Sequence, residues 1–353
     1  MGLTHHQMEV LTIVERSASV LSTIGIATII GTFCFSRQFR NPIQRIVFIN
    51  AFYNIFDVTA TFISLSGPEA GNSSRLCQFQ GFLMQMFPLA DVLWTLAMAI
   101  DVFLIVFYKY DTEDLHKLEI KYIAIITALV FIPAASFLFV HTKERGPMFG
   151  SVTIWCSISP HWVLFRILFF YGPIWLTIFI VIILYLLVGF EILKQRRFFK
   201  SLGNEFVTLD SIHNIQLDNT VVTTIEGNVP SPTYHPNPHD SGKDLAFDTS
   251  ATASTSSKRP PTGAFDNQPP RRPPVSFRKY ILMPLMFFFL LLAIWVAPTV
   301  NRVASFINPD FVSFPLYLAV GSMGSLRGFW NGVVFMVIGM KERKRKKNRG
   351  RIT

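Results

Sequence analysis

Cysteine is scarce in this 353-residue chain, with three in all, so a disulfide-stapled scaffold is excluded. Charge is thin as well, Asp, Glu, Lys and Arg together making 15% of the residues. A phosphate-cradling Gly-rich loop and a Gly-x-Ser-x-Gly nucleophile turn are both missing, and no enzyme is expected. Histidines do not cluster: His116, His141 and His161 fall in separate places, so no metal or other cofactor is expected. The last apolar run, Phe311–Met340, has no lysine for a retinal Schiff base. No internal repeat appears, which argues against a transporter built from two related halves. The first sixteen residues lack a basic stretch ahead of the first apolar run, so no cleaved signal peptide is expected. His6 stands where N-myristoylation of a Met-Gly start needs Ser or Thr.

What the chain does have is apolar surface. Half of its residues are hydrophobic, 35 of them phenylalanine, and the mean hydropathy is +0.39, which places it in the membrane class. A helix in lipid satisfies its own backbone and needs about 20 apolar residues to cross. Seven runs qualify: Ser17–Phe35, Ile46–Leu65, Phe79–Tyr108, Tyr122–Val140, Val163–Phe190, Tyr280–Val300 and Phe311–Met340. The expected fold is an all-α bundle of seven transmembrane helices. The net charge of +10 does not call for nucleic acid, because the basic residues lie between and after the apolar runs. Arg37, Arg40 and Arg45 follow the first run, Lys194, Arg196, Arg197 and Lys200 the fifth, and Arg278 and Lys279 precede the sixth. Eight more Lys and Arg lie between Lys341 and Arg351. The opposite connections hold only Arg16, Arg75, Lys143, Arg145 and Arg302, so the N-terminus is expected outside and the C-terminus in the cytoplasm. The chain thus divides into an extracellular N-terminus (1–16), helices one to five (17–200), a third cytoplasmic loop (201–277), helices six and seven (278–340) and a basic tail (341–353).

Two outside features agree with that orientation. Asn72-Ser73-Ser74 is a glycosylation sequon in the first outside loop. Cys77, opening the third helix, and Cys156, in the second outside loop, share an oxidising compartment where a disulfide persists; the alternative is two free thiols. The 201–277 loop, rich in Ser, Thr, Asn, Asp and Pro, is predicted to be disordered, with hydroxyl residues beside Lys258, Arg259, Arg271 and Arg272 as phosphorylation candidates. Its His213, His235 and His239 fit no standard metal spacing.

Ionisable groups within spans are costly and mark candidate sites. Asn50, Asn54 and Asp57 share one face of helix two, and Asp91, Trp94, Met98 and Asp101 one stripe of helix three. Counting helical rise from the span ends puts Asp57, Asp91 and Arg327 at similar depth, which predicts an interior pair between Arg327 and one of the two aspartates. Asp57, Asp91, Asp101 and Arg327 are the candidate polar switch; the alternative is that they fix helix register. Gly321, Gly324, Gly328 and Gly332 are read as packing positions in helix seven. Arg166 and Arg302, near outer helix ends, offer planar forks to an anionic ligand, or else snorkel to headgroups. Trp155 beside Cys156 is a candidate for the vestibule, and Asp91 and Trp94 are candidate ligand contacts deeper in.

The ordered set Leu93-Trp94-Thr95, Trp155-Cys156, Arg166 with Phe170-Tyr171-Gly172-Pro173, Trp295-Val296 with Asn301-Arg302, and Gly328-Phe329-Trp330 resembles the slime-mould cyclic AMP receptors and their fungal relatives. The resemblance implies a plasma-membrane G-protein-coupled receptor that senses an extracellular small molecule, whether cyclic-AMP-like, nutrient or another anion, and acts on a heterotrimeric G protein. It leaves the ligand open. Neither an Asp-Arg-Tyr at the end of helix three nor an Asn-Pro-x-x-Tyr in helix seven is present, so rhodopsin-class switch residues do not carry over. On this reading Lys194, Arg196, Arg197, Lys200, Arg278 and Lys279 wall the G-protein cleft, and the basic tail meets anionic membrane lipids. The competing reading is a seven-helix channel or transporter, since buried Asp and Arg also suit ion pathways.

Overall fold

The computed structural model describes residues 3–39, 42–194, 277–308 and 311–349. Six helices among them are long and apolar enough to cross a membrane. These are α1 (His5–Phe35), α2 (Pro42–Ile63), α3 (Arg75–Phe103, running on through a π turn at Leu104–Tyr108), α4 (Thr112–Phe137), α5 (Pro160–Lys194) and α6 (Phe277–Ile307). A further helix comes in two pieces, α7 (Phe314–Ser325) and α8 (Arg327–Arg349).

Helix ends follow local chemistry. Thr4 and Gln7 form a capping box, which starts α1 at His5 rather than at the expected Ser17. The Ser74 hydroxyl accepts the Cys77 N–H to open α3, and the Asp111 carboxylate accepts from Glu113 and Asp114 to open α4. Lys109, left-handed at φ 57°, ends the α3 π turn. Of the six, α3 is the most buried and α4 and α5 the least, so α3 is the axis of the bundle. Its core centres on Ala90, Val92, Trp94 and Met98, packed against Ile46 and Val47 of α2, Ile126 and Val130 of α4 and Trp295 of α6. Outward positions such as Ile24, Phe56, Leu129, Phe179 and Phe289 are exposed apolar side chains, the pattern of a surface solvated by lipid rather than water.

The expected unbroken seventh helix is corrected at Leu326. In a continuous helix the Phe329 N–H would donate to the Ser325 carbonyl. Here the Ser22 hydroxyl of α1 stands between them, accepting from Phe329 N at 3.2 Å and donating to the Ser325 carbonyl oxygen. A side chain inserted into the hydrogen-bond ladder is a sufficient cause for the break, and the one hydroxyl serves both backbone groups it separates. One turn further along, α1 and α8 touch backbone to backbone: a Cβ on Gly25 would strike the Gly328 carbonyl and Phe329, and one on Gly332 would lie 2.9 Å from Gly25 Cα. Gly328 and Gly332 are therefore packing residues. Gly321 and Gly324 instead line a cavity.

Between α4 and α5 the chain forms two antiparallel hairpins, β1 (His141–Thr142) with β2 (Gly146–Pro147), and β3 (Phe149–Val152) with β4 (Trp155–Ile158). A Cys77–Cys156 disulfide ties β4 to the start of α3. The buried Gln80 amide locks the same junction. Its nitrogen donates to the Ala60 and Ser64 carbonyls that the end of α2 leaves over, at 3.1 and 3.0 Å, and its oxygen accepts Cys156 N at 2.8 Å.

Candidate functional site

A cavity opens beneath the β3–β4 hairpin, at the disulfide end of the bundle, and every helix except α4 contributes to its lining. Val152, Thr153, Trp155 and Ser157 roof it; Glu15, Asp57 and Thr61 form one wall; Phe170, Tyr171, Trp295, Asn301 and Arg302 form another; Tyr317, Ser325 and Arg327 complete it. Thr153 is left-handed at φ 66°, which turns the hairpin tip over the opening.

Arg302 is held by Tyr171. Its Nε donates to the Tyr171 hydroxyl at 2.5 Å, and its guanidinium carbon lies 5.3 Å from the centre of the same ring. Tyr171 is aimed by the turn that precedes Pro173. Residues Ile167–Tyr171 form a π turn closed by Gly172 N–H on the Ile167 carbonyl, and a Cβ at position 172 would sit 2.8 Å from that oxygen, so glycine is required. Among the described residues no carboxylate lies within ion-pair distance of Arg302. Its remaining nitrogens are available to an anion.

At the cavity floor Arg327, the first residue of α8, meets both aspartates. Nη1 donates to Asp57 Oδ2 at 2.8 Å, and Nε lies 3.4 Å from Asp91 Oδ2. Asn50 Nδ2 donates to Asp91 Oδ1 at 2.7 Å, with Asn54 Nδ2 more distant at 3.5 Å. All five side chains are buried, so the network is one unit joining α2, α3 and α8. With two carboxylates and one guanidinium it carries a formal charge of −1.

Several expected site residues stand elsewhere. Asp101 belongs to a separate pair, accepting from the Tyr122 hydroxyl at 2.9 Å, because ten residues of α3 carry it about 15 Å beyond Asp91. Trp94 does not reach the cavity; it is fully buried edge-on to Tyr53. Asp91 sits behind Arg327 and does not line the cavity either. Arg166 is buried with Nη2 on the Ile158 carbonyl, so it neither lines the cavity nor snorkels. Asn72 is exposed, and its Oδ1 accepts Ser151 N at 2.9 Å. Lys194 ends α5 exposed, Arg278 and Lys279 lie in the first turn of α6, and Arg196, Arg197, Lys200 and the 201–276 stretch, with its three histidines, fall outside the described residues. The helix continues past Met340 to Arg349, into the segment expected as tail.

The sequence reading missed Glu15, placed in an outside segment yet 1% exposed and hydrogen-bonded to Ser64. The capping box at Thr4 was the signal for it, since a helix begun at His5 carries Glu15 into the bundle. Tyr171 and Asn301 lay within quoted motifs but were given no role. The Arg45–Glu119–His116 cluster at the opposite end was also unread; Glu119 Oε2 lies 2.9 Å from Arg45 Nη2 and 3.1 Å from His116 Nδ1.

A family model described as slime mold cyclic AMP receptor matches residues 3–201, more than half of the chain. The chain belongs to the slime mold cyclic AMP receptor family. Within that family's wider kin, it is 30% identical over 176 residues to "G-protein coupled receptor 1" of Arabidopsis thaliana, covering 49% of this chain and 50% of that protein. It is 25% identical over 186 residues to "Cyclic AMP receptor-like protein A" of Dictyostelium discoideum, covering 53% of this chain and 47% of the relative. The chain thus spans about half the length of the curated relatives it matches. In fold, this family member is similar to squid rhodopsin, with a TM-score of 0.59 over 98% of this chain and 85% of the other at 10% identity. The architecture is that of the seven-helix receptors, in a multi-pass membrane protein.

Proposed function

We propose that this protein is a G-protein-coupled receptor of the plasma membrane, N-terminus outside, which binds an extracellular small molecule in the cavity under the hairpin and promotes nucleotide exchange on a heterotrimeric G protein. The observation that carries the reading is Arg302, a cavity arginine oriented by Tyr171 and without a carboxylate partner among the described residues. Its planar fork suits a phosphate, sulfate or carboxylate. Cyclic AMP, named in the family and in one relative, is the first such anion to test. The Cys77–Cys156 bond supports placing the cavity end in the oxidising compartment, as does the Asn72 sequon nearby.

A ligand shifts a conformational equilibrium only through contacts that differ between the two states. Arg302 on α6, Tyr171 on α5 and Tyr317 on α7 are the contacts able to differ, because α7 is separated from α8 at Leu326. The cytoplasmic readout is Lys194 at the end of α5, Arg196, Arg197 and Lys200 after it in the sequence, and Arg278 and Lys279 in the first turn of α6, with the tail against anionic lipid.

The test is GDP–GTP exchange on a G protein co-reconstituted with the purified receptor, against cyclic nucleotides, sugars and organic anions. One anionic class is expected to raise exchange, and Arg302→Gln to abolish that response at unchanged expression. Ligand-independent ion flux through the vesicles, with no effect on exchange, would replace this reading by a channel or transporter.

A further inference from the structure

We infer that the cavity is built for a zwitterion, a small molecule with an ammonium group at one end and an anionic group at the other, the ammonium read by Glu15 and the anion by Arg302. This rests on the cavity being the ligand site.

The argument begins with charge. On the α1–α2 side stand Glu15 and Asp57, with Asp91 behind them, and Arg327 pairs with the two aspartates. Glu15 has no ion-pair partner among the described residues and accepts one hydrogen bond, from the Ser64 hydroxyl. Its neighbour Arg16 makes its hydrogen bonds to Ser66 Oγ at 2.9 Å and the Phe62 carbonyl at 3.3 Å. The α5–α6 side is the reverse: Arg302 lines the cavity without a carboxylate among the described residues, and buried Arg166 adds a second positive charge. The cavity is therefore polarised, with a negative wall and a positive wall on different helices.

Independent of charge, three buried polar atoms on cavity-lining residues have no hydrogen-bond partner among the described residues: Asn301 Oδ1, Ser325 Oγ and Trp295 Nε1. Their residues are 3%, 2% and 5% exposed, so bulk water does not serve them. Buried groups of this kind ordinarily have partners, and a polar occupant would supply them. A simple anion would answer Arg302 and leave Glu15 uncompensated in a buried wall; a simple amine would do the opposite. Only a molecule bearing both charges answers both walls. Glu15 is held at Ser64, just past the end of α2, and Arg302 by Tyr171 of α5, so the two charges of the occupant are met from different helices.

The probes are 4-aminobutanoate, 6-aminohexanoate and glycylglycine, each with its N-acetyl and its C-amide analogue, titrated against the purified full chain while the thermal unfolding midpoint is followed. At least one zwitterion is expected to raise the midpoint, with both capped analogues binding about tenfold more weakly or worse, since each lacks one charge-assisted contact. Glu15→Gln is expected to erase the preference for the free amine while keeping the demand for the acid; Arg302→Gln is expected to erase the demand for the acid alone. Glu15→Asp, which keeps the charge, retains the amine preference. Without any probe, Glu15→Gln should unfold no earlier than wild type, whereas a carboxylate present only to hold Ser64 would lower the midpoint when lost. The inference is overturned if no zwitterion shifts the midpoint, or if an N-acetyl analogue binds as well as its parent. A pure anion that binds and ignores Glu15→Gln sinks it too, while leaving the receptor reading intact. Failure of every binding compound to alter G-protein exchange would defeat the receptor reading and not this one.

Discussion

Two groups of buried charge, set at different heights in the same bundle, follow different rules. In the middle, Asp57, Arg327 and Asp91 are sealed together, the two side chains of the closest pair each 6% exposed. Near the end opposite the disulfide, Glu119 is equally hidden at 4%, but its partners Arg45 and His116 are 37% and 53% exposed. The first cluster exchanges hydration for three protein partners. The second keeps its cations in contact with solvent or headgroups. In the middle the loss of one member leaves a bare charge with nowhere to turn; at the end the remaining members rehydrate.

Arg327→Leu should show the contrast at its largest, because it strands two carboxylates in the core. The expected cost is about 3–5 kcal/mol, read from SDS-unfolding titrations of purified protein in mixed micelles. A reversed pair, Arg327→Asp with Asp57→Arg, should recover part of that stability, and a double variant no better than its worse parent would break the proposed coupling. Asp57→Asn comes next, at about 1.5–3 kcal/mol, since Arg327 keeps Asp91 while a charged hydrogen bond becomes a neutral one. Glu119→Gln should cost about 1 kcal/mol, the ordinary net worth of a hydrogen bond, because both partners remain hydrated. Arg45→Ala is expected to be smallest, below about 1 kcal/mol, with His116 still beside the carboxylate. Raising salt should shrink the Arg45 and Glu119 effects and leave that of Arg327 unchanged, as screening reaches only the solvated cluster. If Arg45→Ala matched Arg327→Leu, the distinction between the two regions would be lost.

The same contrast explains what was legible in the sequence. Long apolar runs are a local signal, so the helices lay where expected to within a few residues at most ends. The Asp57–Arg327–Asp91 meeting was legible because a charge in the middle of an apolar run has few places to go, and helical rise fixes its depth. Arg45 and Glu119 sit near span ends, where charges are common and carry no such constraint. The break at Leu326 depends on a serine 304 positions earlier, an arrangement no window along the chain contains. Arg166 was misjudged because position along a helix gives depth but not direction, and its side chain turns to the Ile158 carbonyl instead of the cavity. Glu15 was lost through a boundary error, the capping box at Thr4 having gone unread.

Finally, the Arg327 contacts bear on how the molecule is made. The Asp57 and Arg327 codons lie 270 residues apart. During synthesis both aspartates therefore reach the membrane long before Arg327, the cation that pairs with them. α7, at twelve residues or about 18 Å, is too short to cross by itself, so it enters joined to α8 with Arg327 at the junction. A lone arginine at the centre of a membrane helix costs about 2.5–3.5 kcal/mol to insert. The waiting carboxylates of α2 and α3 offset that cost at the moment of docking, which makes the charge cluster a latch on assembly, set only after α8 has left the ribosome.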